Sequence, residues 1–207
     1  MLVLGLDTST PAVSVGLVDS DRGALAECVV VDAKRHGELL AQGIATVLRE
    51  AGVDRRGLGA VAVGLGPGPF TGLRVGVVTA ATLADALGIP SYGVCSLDAL
   101  GTGERVAMTD ARRREVYWAR YDATGSRVVG PNVDKPGDLV ERLHGVPVMG
   151  DGAIAYGGVL AGLDLRSEPR YPSALRIAEL ARTPGLLPMY LRRPDAEQPG
   201  PPKKVTA

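Results

Sequence analysis

Within the first hundred residues the hydrophobic pattern switches from a period of two to a period near 3.6, and that switch narrows the folds open to the chain. Leu2 to Leu6 is an apolar run ending in Asp7, which predicts a buried strand. After the turn Thr8-Ser9-Thr10-Pro11, residues Ala12 to Val18 alternate, with Val13, Val15 and Leu17 on one face. A second turn, Asp19 to Gly23, leads into a third strand from Leu25 to Val31. Three strands joined by tight turns form an antiparallel meander. Then Leu40, Ile44, Val47, Leu48 and Ala51 trace one stripe of a helix, and Gly52 suits the position just past its end. A strand from Ala60 to Leu65, a helix from Leu73 to Leu87 closed by Gly88, and a strand from Ser91 to Cys95 follow. A meander followed by helix–strand alternation predicts an α/β fold, a mixed sheet with helices on its faces.

The remainder is less regular. Strands are predicted at Val106–Met108, Glu115–Tyr121 and Pro147–Met149, and helices at Pro136–Leu143 and Ser173–Ala181. At 207 residues the chain has room for one domain or two small lobes, and the pattern suggests lobes at 1–103 and 104–193. Residues 194–207 hold four prolines, two lysines and almost no apolar side chain, so a disordered tail is expected there. No internal sequence repeat is evident.

Composition excludes several classes. Basic and acidic residues number 23 each, which argues against tight, unassisted nucleic-acid binding through bulk charge. Only eight residues are aromatic, too few for a base-stacking platform. No apolar run approaches 18 residues, the N-terminus lacks the features of a secretory signal, and two cysteines make no disulfide framework. A cytoplasmic protein without a membrane partner is expected. Cys28 and Cys95 lie on apolar strands and are expected to pack in the core. His36 and His144 stand apart from each other and outside any metal-binding spacing.

Four stretches carry candidate chemistry. Gly66-Pro67-Gly68-Pro69-Phe70-Thr71-Gly72 precedes a helix, where Gly66, Gly68 and Thr71 would either turn the chain or cradle an anion. Pro67 and Pro69 lack N–H donors, and no Gly-Lys-Ser/Thr follows, so this is not a P-loop. Gly72, Gly76, Ala80 and Ala84 form a ridge of small side chains, which either packs on the protein's own sheet or admits helices of another chain. Asp7, Thr8, Ser9 and Thr10 have the oxygens for a phosphate or Mg²⁺, or for an ordinary polar turn. Arg112, Arg113 and Arg114 are either a solvated loop or an anion or RNA contact.

Together, Asp7-Thr8-Ser9-Thr10, the stretch Gly64 to Arg74, Asp110-Ala111-Arg112 with Glu115 to Ala119, and Pro188-x-Tyr190-Leu191-Arg192 resemble the TsaB (YeaZ) family. These are accessory subunits of bacterial tRNA threonylcarbamoyladenosine synthesis. The resemblance runs to about Arg193 and implies an actin-like ATPase (ASKHA, ribonuclease H-like) fold of two lobes, each with a mixed sheet flanked by helices. It implies a non-catalytic scaffold for TsaD, which transfers threonylcarbamoyl to the adenosine next to the anticodon of ANN-reading tRNAs. TsaE would complete a ternary complex, a homodimer would form when the chain is alone, and tRNA would be met only through the complex. No intrinsic cofactor is implied; ATP or ADP and a metal belong to the partner subunits. The helices matching Glu38–Ala51 and Gly72–Leu87 would form the partner bundle, through Leu40, Ile44, Val47, Leu48, Gly72, Val75, Gly76, Ala80, Leu83 and Ala84. Where TsaD carries two metal-binding histidines, this sequence has Ser96 and Leu100. Two other readings compete: an actin-fold phosphotransferase binding ATP through Asp7–Thr10 and Gly66–Gly72, and a glycoprotease-like peptidase.

Overall fold

The computed structural model describes residues 1–192 in two sheets. The first sheet has strands β1 (Leu2–Asp7), β2 (Ala12–Asp19), β3 (Gly23–Val31), β4 (Leu58–Gly64) and β5 (Ser91–Val94), in the order β3-β2-β1-β4-β5. β1, β2 and β3 pair antiparallel, whereas β4 and β5 join in parallel. The crossovers are α1 (His36–Glu50) and α2 (Phe70–Leu87). Both helices end as their glycines require: Gly52 follows α1 at φ +65°, and Gly88 caps α2 at φ +66°.

One face of this sheet buries Leu4, Leu6, Val13, Val15, Leu17, Val61 and Val63 against Leu40 and Val47 of α1 and Val77, Ala80 and Ala84 of α2. The period-two and period-3.6 patterns therefore meet in a single core. The opposite face carries α4 (Ala174–Glu179), whose Ile177 and Ala178 pack on Val3, Val18, Ala60 and Ala62. Gly5 and Gly16 stand directly opposite each other on β1 and β2. A side chain at either would meet the backbone of Ala174 or Leu175, so this glycine pair is what lets α4 lie close on the sheet.

The second sheet has β6 (Arg105–Asp110), β7 (Val116–Tyr121), β8 (Arg127–Asp134) and β9 (Val148–Met149), in the order β8-β7-β6-β9. Three antiparallel strands and one parallel strand reproduce the plan of β3-β2-β1-β4, a structural repeat that the sequence does not display. Trp118, Leu139, Leu143, Val148 and Leu160 form the core of this lobe, and the Trp118 indole donates to Asp134 Oδ2 at 2.8 Å. Between the lobes, Cys95, Leu97 and Leu100 meet Ala107, Ala119, Tyr121 and Met149.

Several expectations are corrected. Residues 104–193 are not one lobe, because α4 and the segment after it return to the first sheet; Leu186 and Met189 join its core, and Met189 N–H donates to Leu65 O at 2.8 Å. The sequence pattern does not predict β8, since Gly130-Pro131 interrupts its alternation. Nor does it predict α3 (Asp151–Ala155), whose five residues are too few to show a period. The helix expected at Pro136–Leu143 is a 3₁₀ turn, Pro136–Leu139. The tail expected at 194–207 lies outside the described residues. Finally, α2 is long and apolar enough to cross a membrane by length and composition, though Gly72, Leu73, Gly76, Val77, Ala80 and Ala84 are buried within the protein.

Candidate functional site

The turns that follow β1, precede α2 and connect β6 to β7 come together between the lobes. Two adjoining cavities lie there. One, of about 230 Å³, is lined by Thr8–Pro11, Lys34, His36, Thr71, Val75, Asp110 and Arg112; the other, of about 340 Å³, includes Phe70, Tyr117, Tyr190 and Arg192. Pro69, Asp110 and Arg112 border both.

Asp7 ends β1 and is 1% exposed. Its Oδ1 accepts from Ser9 N–H at 2.9 Å and Ser9 Oγ at 2.7 Å, and its Oδ2 accepts from Ser96 Oγ at 2.6 Å. Burial raises its pKa above the ordinary carboxylate value in spite of those three donors. Ser96 Oγ also accepts from Gly66 N–H at 3.1 Å, so one hydroxyl joins the end of β1 to the loop before α2. Thr8 Oγ1 donates to Gly72 O at 2.8 Å and accepts from Gly76 N–H at 3.1 Å. A Cβ at Gly72 would stand 2.6 Å from Thr8 O, and one at Gly76 2.5 Å from Thr8 Oγ1. The small residues of α2 therefore serve the approach of the helix to the protein's own strand.

This corrects two expectations. Leu40, Val47, Gly72, Gly76, Ala80 and Ala84 are buried in the protein's own core, and Ile44, Leu48, Val75 and Leu83 are half-buried at its edge. What α2 leaves open is its other flank: Phe70, Thr71, Arg74 and Val78 are exposed, with Val78 at 54%. The second correction concerns the anion contacts. Asp7, Thr8, Ser9, Thr10 and Gly66 are buried, and Asp7, Thr8 and Gly66 are committed to internal hydrogen bonds. Gly68 packs on the Ser9 carbonyl, and Thr71 alone of the proposed contacts is exposed. Pro67 and Pro69 bring no N–H groups to this part of the cleft.

Arg112, Arg113 and Arg114 form the β6–β7 turn at φ 61°, 52° and 62°. Three consecutive non-glycine residues in the left-handed region are costly, about 1–2 kcal/mol each. The turn is held by Arg112 N–H to Asp110 Oδ1 at 3.0 Å and Ala111 N–H to Glu115 O at 3.0 Å. Tyr156 OH donates to the same Asp110 oxygen at 3.1 Å. Behind it, Asp151 accepts from Asp110 N–H, and burial, with the Asp110 charge adding to it, raises the Asp151 pKa to about 6.

Some members of the cleft are not evident from sequence. His36 Nε2 donates to Thr10 O at 2.9 Å. The Tyr190 ring lies 5.2 Å from Phe70, and Arg192 pairs with Glu115, closing the cleft with the last described segment. Only the Tyr190-Leu191-Arg192 motif hints at that closure. Cys95 is buried, with its thiol pushed up to about 11, and Cys28 is half-buried against the first core; both are free. His144 is exposed.

Two lobes of one strand plan, facing each other across a cleft made of strand-end turns, define a protein of the actin-like, ribonuclease H-like ATPase fold. A family model described as TsaD, tRNA N6-adenosine threonylcarbamoyltransferase, matches residues 30–160. An uncharacterized protein of Mycobacterium tuberculosis is 46% identical over 201 residues, covering 94% of this chain and 93% of that one. The Escherichia coli tRNA threonylcarbamoyladenosine biosynthesis protein TsaB is 33% identical over 129 residues, 58% of this chain and 55% of its own. The solved structure of YeaZ from Pseudomonas aeruginosa superposes with a TM-score of 0.74 at 30% identity, covering 86% of this chain and 89% of that one. The chain belongs to this threonylcarbamoyltransferase family, as a TsaB/YeaZ-like member of it.

Ser96 and Leu100, which the resemblance sets against the two metal-binding histidines of TsaD, offer little to a metal. Ser96 Oγ is spent on Asp7 and Gly66, and Leu100, which has no donor atom, is buried between the lobes. Among the described residues no three His, Cys, Asp or Glu side chains converge as a donor set.

Proposed function

We propose that this chain is a non-catalytic accessory subunit in threonylcarbamoyl transfer to tRNA, acting by holding a TsaD-type transferase in its competent state. The observation that carries this reading is the donor chemistry at Ser96 and Leu100, the positions that the resemblance sets against TsaD's metal-binding histidines: one is a hydroxyl already engaged, the other a hydrocarbon. The names of the TsaB relatives and the family model support a place in tRNA threonylcarbamoyladenosine synthesis. The exposed flank of α2 supports a partner surface, since Phe70 and Val78 offer apolar area that water would release. TsaD docks on that flank and on the adjoining edge of α1 (Ile44, Leu48), TsaE joins the pair, and a second copy of this chain takes the flank when TsaD is absent. ATP or ADP, the metal and tRNA are engaged through the partners, in the cytoplasm. Stabilising one state of the transferase requires only that the chain bind that state better than the others.

The test is tRNA threonylcarbamoylation in a mixture of TsaD, TsaE and the enzyme that makes the adenylate, with and without this chain, alongside size-exclusion chromatography with TsaD. The expected result is modification that depends on the chain, together with co-elution. Full modification in its absence, or activity from the chain without TsaD, overturns the proposal.

A further inference from the structure

At the opposite end of β6 and β7 from the cleft, about 17 Å of strand away, lies a third cavity of about 280 Å³. It is lined by Arg105, Arg127 and Arg176, by Asp98 and Tyr121, and by the loops holding Thr102-Gly103 and Thr124-Gly125-Ser126. The three guanidinium groups come from β6, β8 and α4, elements far apart in sequence. Asp98 is the one carboxylate in the lining among the described residues.

Arg105 is 2% exposed and fixed in place. Its Nε donates to Leu100 O at 2.7 Å, Nη1 to Gly103 O at 2.8 Å and Nη2 to Asp98 O at 3.1 Å, and the group lies 3.8 Å over the Tyr121 ring. A guanidinium has five N–H groups, so two remain for another acceptor. Asp98 is shared: Tyr121 OH donates to its Oδ1 at 2.7 Å, and Arg127 Nη1 stands 3.5 Å from the same oxygen. Arg176 binds Glu179 through Nη1 at 2.6 Å, while its Nε is buried without an acceptor. The burial of Arg105 and the charge of Arg176 both work against the Arg105 cation. Against these three cations stand two carboxylates, Asp98 beside Arg127 and Glu179 beside Arg176, so the concave site keeps a net positive charge of one.

We propose that this cavity binds a phosphoryl dianion, the terminal phosphate of a small phosphorylated molecule. Guanidinium groups pair with phosphate oxygens through parallel N–H bonds, and three of them from different directions suit a tetrahedral anion better than a planar carboxylate. Thr102, Ser126 and the glycines beside them line the same cavity. At about 280 Å³ the cavity has room for a phosphate together with part of the molecule that carries it.

Calorimetric titration of the full chain with inorganic phosphate, pyrophosphate and adenosine monophosphate tests the site. Expected are saturable binding of at least one probe at one site and at least a tenfold loss of affinity in both Arg127→Gln and Arg176→Gln. Arg166→Gln, whose exposed pair with Asp164 lies outside the cavity, leaves affinity unchanged. Preference for adenosine monophosphate would identify a nucleotide as the source of the phosphate; equal binding of inorganic phosphate would identify the anion alone. Amide chemical shifts of the unmodified chain give a second readout: Gly103 and Gly125 move on titration with the bound probe, and Gly68 and Thr71 do not. No saturable binding of any probe, equal loss in Arg166→Gln, or shifts centred on Gly68 and Thr71 overturns the proposal.

Discussion

Thr8 and Ser96 fasten the end of β1 to the two segments beside it, α2 and the turn after β5. Each is a short hydroxyl side chain reaching one donor and one acceptor, and each faces glycines that leave it room. Removing the Ser96 hydroxyl leaves one Asp7 oxygen without its partner, so Ser96→Ala is expected to destabilise the protein by about 1–3 kcal/mol in urea denaturation. Asp151 provides a pH signature. Its folded-state value of about 6 lies above the ordinary 3.8, so the folded state holds the proton more tightly than the unfolded state does. The associated stability is complete below about pH 4 and disappears as pH rises through 6. A difference of that size between the folded and unfolded carboxyl corresponds to about 3 kcal/mol. Urea midpoints measured from pH 4 to 7 are expected to fall more steeply for the wild type than for Asp151→Asn; parallel curves would show that burial does not hold that proton.

At the scale of elements, α2 has two flanks with different uses. Ala80 is fully buried against the sheet, whereas Val78, two residues earlier, is 54% exposed. An arginine at the two positions separates folding from docking. Ala80→Arg is expected to cost more than about 3 kcal/mol through overpacking and a buried charge. Val78→Arg is expected to stay within about 0.5 kcal/mol of the wild type and to abolish co-elution with TsaD. Retained co-elution would move the partner surface away from this flank. The end of α2 is a purely conformational matter: nothing lies within 4 Å of a Cβ built on Gly88, and its φ is +66°. Gly88→Ala should therefore lower stability by about 1 kcal/mol, with partner binding intact.

Across the whole molecule, the chain crosses to the second sheet at β6 and returns at α4. The return places Ile177 and Ala178 on the first sheet, where Gly5 and Gly16 leave room for the start of α4, and ends with Tyr190 on Phe70 and Arg192 on Glu115. A chain ending at Pro172 would leave that face of the first sheet in water. It is expected to aggregate or to melt without a cooperative transition, as followed by circular dichroism and light scattering; a soluble, cooperative fragment would show that the return is dispensable. The meander, both crossover helices and their glycine stops are legible from sequence, because each rests on a local period or a local backbone requirement. The irregular strand Arg127–Asp134 and the five-residue helix Asp151–Ala155 are not, since neither sustains a period long enough to read. The glycine loop and the small-residue ridge are visible as patterns, but a pattern of small side chains states only that something approaches closely. The fold decided that the approaching group is Thr8 of the same chain. It also brought Arg105, Arg127 and Arg176 around one cavity from three elements with no sequence proximity. Local periodicity is written residue by residue along the chain, whereas the partner of a buried surface or a charge depends on how distant segments pack.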